Sequence, residues 1–268
     1  MKKLDLKNKV AIVTGASSGI GKEISTILVK KYGCVVYGIA RDLRKLDLVR
    51  EELGHHKFLC CAMDVSCKIS WENFASFLKN TNTHPHILIN CAGALPQFAS
   101  VNNTDIETIE RVINVNLMSS VYSCKYLMEH ISDKGCVVNI SSASALCPFA
   151  GVGAYSASKS ALERFTECLA QEEKRVSVSC VMPGFVKTDI MKGHNVSDKE
   201  KGIINFFSAD AGKTANKIVK RATKRKKRIV TGFDAHFISF MFRVFPRLAP
   251  GLFSKIIKKS NLDLFKKI

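Results

Sequence analysis

The sequence predicts an α/β protein: one doubly wound parallel sheet of about seven strands, helices on both faces, and a C-terminal helical appendage. Three observations carry that prediction. Short runs apolar throughout alternate with helical stretches along the chain, as in a parallel sheet covered on both faces. The first run empties into a glycine-rich turn that opens a helix, the arrangement that places a crevice at the carboxyl ends of the strands. No linker rich in Pro, Gly or Ser divides the 268 residues, which suits one large domain.

The first strand is Lys9-Val10-Ala11-Ile12-Val13-Thr14, running into Gly15-Ala16-Ser17-Ser18-Gly19-Ile20-Gly21. Ile20, Ile24, Ile27, Leu28 and Lys31 then recur at helical intervals, and Gly33 closes that helix. The second strand is expected at 34–40, and further strands at 58–63, 87–91, 136–141, 176–181 and 229–231. Helices are expected at 43–53, 71–78, 106–130, 154–173 and 215–224. On the last of these, Ala215, Ile218, Val219 and Ala222 form one apolar stripe, which should pack on the body and leave its lysines in solvent. The expected organisation is a catalytic domain over 1–232 and an aromatic, basic appendage over 233–268.

Composition narrows the class. Hydrophobic residues make up 46% of the chain, too many for disorder. No apolar run reaches the about 18 residues of a spanning helix, and the N-terminal residues lack the apolar stretch of a secretory signal. Ten cysteines are present. They show no Cys-x-x-Cys pair and no grouping with histidine at zinc spacing, so reduced thiols in a cytoplasmic protein and no metal are expected. The charge is uneven: residues 213–268 hold 16 basic and 2 acidic residues, a net of +14, whereas the first 212 residues carry only +4.

Chemistry should gather at the crevice. Gly15 permits a tight exit from the strand, while Gly19 and Gly21 let backbone approach a pyrophosphate at the helix N-terminus. A plain strand-to-helix loop would also use glycines. The second strand ends at Ala40 with Arg41 beside it; an uncharged residue followed by arginine favours a 2′-phosphate over a free 2′-hydroxyl. Asp42 partly offsets that preference. Tyr155 and Lys159 stand four apart on one helical face, and an ammonium near a phenol stabilises the phenolate. Ser141, Ser142 and Ser144 supply hydroxyls at the end of the strand before them.

Over roughly residues 7–190 the chain resembles the short-chain dehydrogenases/reductases, which have a Rossmann-like fold. Thr14-Gly15-Ala16-Ser17-Ser18-Gly19-Ile20-Gly21 matches the family's glycine turn. Asn90-Cys91-Ala92-Gly93 matches its Asn-x-Ala-Gly element, with Cys91 where a second Asn is usual. Asn114-Val115-Asn116-Leu117, Tyr155-Ser156-Ala157-Ser158-Lys159 and Pro183-Gly184-Phe185-Val186-Lys187-Thr188 complete the set. Ser142 lies thirteen residues before Tyr155, the family's usual separation, and is preferred on that ground.

The resemblance implies roles. Tyr155 would be the general acid, Lys159 would hold ribose hydroxyls and lower the tyrosine pKa, Ser142 would hold the substrate oxygen, and Asn116 would hold a water in a proton relay. NADPH/NADP+ would meet Gly15, Ser17, Ser18, Gly19, Ile20 and Gly21 through its diphosphate and ribose. Arg41 would meet its 2′-phosphate, Asp64 and Val65 its adenine, and Asn90, Cys91, Ala92 and Gly93 its adenosine ribose side. Pro183, Gly184, Val186 and Thr188 would lie by the nicotinamide amide.

The reading is an NADPH-dependent reductase of a ketone to a secondary alcohol, acting on an apolar carbonyl substrate. A 3-oxoacyl carrier-protein reductase, an NAD-dependent alcohol dehydrogenase and a dinucleotide-sensing scaffold remain as alternatives. The tail has a Gly-Phe-Asp strand exit and a Phe-Pro segment, loosely similar to lipid-acting members such as 3-ketosphinganine reductases. Large apolar side chains among Lys and Arg suit an anionic membrane surface on the cytoplasmic side. A pocket wall or an oligomer contact would also account for the tail, and a homo-dimer or homo-tetramer is expected. Nucleic acid is not expected, because no recognition-helix or aromatic-interleaved motif accompanies the basic helix.

Overall fold

The computed structural model describes residues 4–188, 190, 208–259 and 268. Seven strands form one sheet: β1 Val10–Thr14, β2 Val35–Ala40, β3 Phe58–Ala62, β4 Ile87–Asn90, β5 Cys136–Ile140, β6 Ser177–Pro183 and β7 Arg228–Thr231. Their order is β3-β2-β1-β4-β5-β6-β7, and every pairing is parallel. The order reverses direction between β1 and β4, so the carboxyl ends of those two strands flank the crevice. The helices are α1 Gly19–Tyr32, α2 Leu43–Leu53, α3 Lys68–Asn80, α4 Ile106–Ile113, α5 Ser119–Leu127, α6 Gly153–Glu172, α7 Ala211–Thr223, α8 Phe233–Val244 and α9 Ala249–Lys259. No helix among the described residues is long and apolar enough to cross a membrane.

Alternate strand residues face opposite cores, which is why the runs are apolar throughout. Ala11 and Val13 of β1 pack with Ile24 and Leu28 of α1, with α2, and with Ala215, Ile218, Val219 and Ala222 of α7. Ile12 faces the other way, toward Trp71, Phe74 and Leu78 of α3 and Cys124 and Leu127 of α5. Cys60 and Cys61 follow the same rule, each joining a different core. The stripe predicted for the basic helix is thus the buried face of α7. All ten cysteines are unpaired thiols.

A third core lies under the C-terminal helices. Ala235 and Ile238 of α8 and Ala249 of α9 pack on Cys180 and Met182 of β6 and on Ala143, Leu146 and Cys147. The side chains of Ile256 and Ile257, named in the tail pattern, lie outside the described residues.

One expectation needs correction. The stretch 106–130 is not a single helix: α4 gives way to a π-helical turn at Asn114–Met118 before α5 begins, and a 3₁₀ turn, Met128–His130, ends the segment. Apolar periodicity runs on through the junction, so pattern alone joins the two helices. Such a turn re-aims a side chain by one position, and the buried residue within it is Asn116.

Tight packing at the sheet also generates a test. A Cβ on Gly38 would fall inside the ring of Phe58, which is fully buried. Gly38→Ala should therefore cost about 1–3 kcal/mol through overpacking, read as a lowered urea midpoint with an unchanged slope; an unaltered midpoint would show that the Phe58 ring yields freely.

Candidate active site

The site is built at the carboxyl ends of β1, β4, β5 and β6. Gly15 leaves β1 with φ +66, and a Cβ there would stand 3.0 Å from Ala92 Cα. A Cβ on Gly21 would fall on the carbonyl oxygen of Gly15. The turn therefore closes on backbone alone, which brings the first amides of α1 into the crevice. Ser18, the N-cap of α1, makes no side-chain capping bond, so these amides face the place where a diphosphate would lie. The Thr14 hydroxyl accepts hydrogen bonds from the backbone N–H of Cys91 at 2.9 Å and of Ala92 at 3.0 Å. It thereby latches β1 to the segment after β4. Thr188 returns over the same turn, its side chain packed against Gly19. These features fit a dinucleotide: a cradle that side chains would fill and an uncapped helix N-terminus.

The end of the crevice by β2 and β3 is polar and open. Arg41 is exposed at the end of β2. The Asp42 carboxylate accepts a hydrogen bond from the Lys45 N–H at 3.2 Å as the N-cap of α2, which directs it to the helix. Asp64 is exposed and accepts from the Ser66 backbone and hydroxyl at 2.9 and 2.7 Å. Val65 beside it is buried, its carbonyl accepting from the Trp71 indole N–H at 2.8 Å.

Beneath the crevice, a buried polar chain fixes the strand ends. Asn90 Nδ2 donates to Asn139 Oδ1 at 2.8 Å, Ser123 donates to Asn90 Oδ1 at 2.8 Å, and Asn139 Nδ2 donates to Thr166 Oγ1 at 2.9 Å. The Asn90 side chain is thus committed to the interior, and Cys91, Ala92 and Gly93 carry the crevice-facing backbone. Sequence reasoning missed Ser123, Asn139 and Thr166. The signal was present: an Asn inside the otherwise apolar Cys136–Ile140 strand needs buried partners.

The reactive cluster lies between β5 and α6. Ser141 donates to the Lys159 carbonyl at 2.8 Å and ties the strand to the helix. Ser142 is the one within reach of Tyr155, while Ser144 Oγ is buried without a hydrogen-bond partner. The Tyr155 phenol, expected to be lowered by Lys159, is instead pushed up from its ordinary range by burial, with Ser142 pulling it partly back. Lys159 is buried, its Nζ donating to the Ile140 carbonyl at 2.9 Å and lying 6.0 Å from the Tyr155 ring centroid. Burial pulls that amine down from 10.5 to about 8. Asn116 Oδ1 accepts from the Ala94 N–H at 2.8 Å, and its Nδ2 donates to the Ala94 carbonyl at 2.9 Å and to Ser158 Oγ at 3.1 Å. A Cβ on Gly93 would stand 3.4 Å from Asn116 Oδ1 and 3.7 Å from Lys159 Nζ, so all three meet at one point.

At the end of β6, Pro183 is buried and the Gly184 N–H donates to the Thr231 carbonyl at 2.8 Å. Asp234 of α8 accepts from the Phe185 N–H at 2.6 Å, and Val186 bridges to Ala209. No cluster able to hold a metal occurs among the described residues.

Known proteins share this fold. A family model described as short chain dehydrogenase matches residues 9–199. The chain belongs to the short-chain dehydrogenase family. Among relatives of this dehydrogenase, the (S)-benzoin-forming benzil reductase of Saccharomyces cerevisiae is 31% identical over 194 residues, covering 69% of this chain and 74% of the yeast protein. A short-chain dehydrogenase/reductase of Burkholderia phymatum solved with NAD shares the fold at TM-score 0.78 and 20% identity, covering 91% of this chain and 96% of its own. One from Burkholderia cenocepacia solved with NADP shares it at TM-score 0.76 and 20% identity, covering 93% and 99%. The chain is an oxidoreductase of this family.

The buried amine leaves a signature in stability. Its folded value of about 8 lies below the ordinary 10.5. Between those values the unfolded chain binds more protons, so stability rises with pH across that window, and the cost is fully present below pH 8. Urea unfolding from pH 7 to 10 should show Lys159→Met gaining on the parent at low pH, with the gap closing by about 1–3 kcal/mol as pH rises. A gap independent of pH would contradict a buried, depressed lysine.

Proposed function

We propose that the protein is an NADPH-dependent reductase that converts an apolar ketone to a secondary alcohol, with Tyr155 as the proton donor. The supporting observation is the Tyr155 phenol, near enough to Ser142 for that hydroxyl to lower its pKa and 6.0 Å by ring centroid from the buried Lys159 amine, at the edge of an apolar cluster of Leu95, Phe98, Phe149, Val152 and Ile268. The cluster supplies a seat for hydrocarbon, and the hydroxyl pair supplies two donors for one carbonyl oxygen. Benzil, which the name of the yeast relative gives as its substrate, is an aromatic ketone of this kind. A long-chain 3-keto amine such as a 3-ketosphinganine belongs to the same class of apolar ketone. The unpaired cysteines suit a reducing, cytoplasmic setting.

The cofactor, when bound, supplies the hydride that reaches the carbonyl carbon. Ser142 holds the substrate oxygen by donating a hydrogen bond. Tyr155 gives its phenolic proton to that oxygen as negative charge develops there, so the C=O becomes CH–OH and the tyrosine is left as phenolate. Lys159, when protonated, stabilises the phenolate and can donate to ribose hydroxyls. Asn116, whose side chain is spent on Ala94 and Ser158, holds the shape of the relay floor on which a water can sit. The positive tyrosine shift suits a group that must keep its proton at neutral pH until hydride arrives.

Preference for NADPH is supported by exposed Arg41 beside an Asp42 whose carboxylate caps α2. Fluorescence titration should show NADPH binding more tightly than NADH, with Arg41→Ala weakening NADPH by about tenfold, equivalent to about 1.4 kcal/mol, and leaving NADH unchanged. Equal affinity for the two cofactors would refute the preference. A ketone panel (benzil, a long-chain 3-keto amine, a steroid, a 3-oxoacyl thioester) followed by NADPH consumption should show turnover of apolar ketones. Tyr155→Phe should lose at least a hundredfold of that turnover while still binding NADPH; wild-type turnover in the variant would overturn the mechanism.

A further inference from the structure

The helix α8 has two apolar faces. One packs through Ala235 and Ile238 on the third core. The other carries Phe233, Phe237, Phe240 and Val244, spaced four, three and four residues apart, and therefore forms one stripe. That stripe is in solvent: Phe233 is 87% exposed and Phe240 59%. It continues over the turn and onto α9 through Phe245, Leu248 (69% exposed) and Leu252. A helix apolar on both faces is ordinarily covered on both, and seven large side chains in one surface are more than scattered exposure.

The exposed charge along these two helices has one sign. Arg243, Arg247 and Lys255 are exposed on the same two helices and their turn, and from residue 235 to residue 259 the chain has no acidic residue. Asp234, just before, is turned inward to the Phe185 N–H. A second copy of the chain docking through this face would bring these cations toward their own kind. An anionic lipid surface would complement them while its acyl boundary takes the phenylalanines.

We propose that the outward face of α8, its turn and the start of α9 docks on an anionic lipid bilayer. The docked face is joined to the cluster around Tyr155 by aromatic contacts. Phe237 lies 6.4 Å from Phe253, and Phe253 lies 5.7 Å from Phe149. Phe149 in turn packs with the apolar cluster that includes Tyr155. Docking would thus set the apolar side of the pocket toward the phase in which an apolar ketone dissolves. That orientation rests on the reductase reading; the docking itself does not.

Flotation of the full chain with phosphatidylcholine vesicles, with and without 30% phosphatidylserine, tests it. The parent should float with the anionic vesicles, less at high salt, and stay down with neutral ones. Phe237→Ser/Phe240→Ser and Arg243→Glu/Arg247→Glu should each lower flotation at least tenfold while keeping the parent's circular dichroism and thermal midpoint. A parent that stays down with anionic vesicles would overturn the proposal. So would variants that float as well as the parent, which would move binding to another basic surface. A parent dimer by light scattering that the phenylalanine variant dissociates, without flotation, would make the face a contact between copies. NADPH binding, measured in parallel, reports on the reductase reading alone, so the two can fail separately.

Discussion

The structure turns on one ammonium group kept out of water. Lys159 Nζ is buried with a single backbone acceptor at 2.9 Å, the carbonyl of Ile140 at the end of β5. An amine in that position is costly to keep charged, and its lowered pKa is the measure of that cost. It is tolerated because the surroundings hold it there. Ser141 binds the lysine's own carbonyl, so the helix turn and the strand end cannot drift apart. The same burial that depresses the lysine raises the tyrosine, leaving an acid that keeps its proton and a cation within reach of the phenolate.

That arrangement needs a floor that does not move. The chain Ser123–Asn90–Asn139–Thr166 joins α5, β4, β5 and α6 through fully buried hydrogen bonds. Such a network is stiff when every member is paired, and expensive when one is lost. Above it, Thr14 pins the β4 exit to β1 through two backbone amides, and the π turn swings Asn116 onto the Ala94 backbone. Stability is spent here on polar groups and a π turn, and the two large apolar cores on either side of the sheet supply it.

Much of this was legible in the residues. Apolar runs located all seven strands to within about two residues, because a strand buried on both faces cannot hide its composition. The four-residue interval placed Tyr155 and Lys159 together, and the thirteen-residue separation preferred Ser142; in the structure the Ser141 hydroxyl is bound to the Lys159 carbonyl and Ser144 Oγ is buried. What could not be read were features made by tertiary contact. The π turn at Asn114–Met118 leaves the apolar period intact, so 106–130 read as one helix. The Asp42 carboxylate looked like a counterweight to Arg41 until its capping bond was seen. Composition marked the tail as aromatic and basic, but only packing shows that Ala235 and Ile238 face inward and Phe237 and Phe240 outward.

The central claim is that Tyr155 delivers the proton, held in its acid form by burial and helped by Lys159. The most direct measurement is the single-turnover rate of NADPH oxidation by excess benzil, followed by stopped flow from pH 6 to 10. The reactive form carries the phenolic proton, and burial raises the phenol's pKa. The rate should therefore not climb between pH 6 and 10, because a phenol raised above its ordinary value keeps its proton over that range, and any fall before pH 10 follows loss of the Lys159 proton near 8. A rate that climbs with pH across the same range would mean that the group acts as a base, or that the proton comes from elsewhere, and would contradict the account.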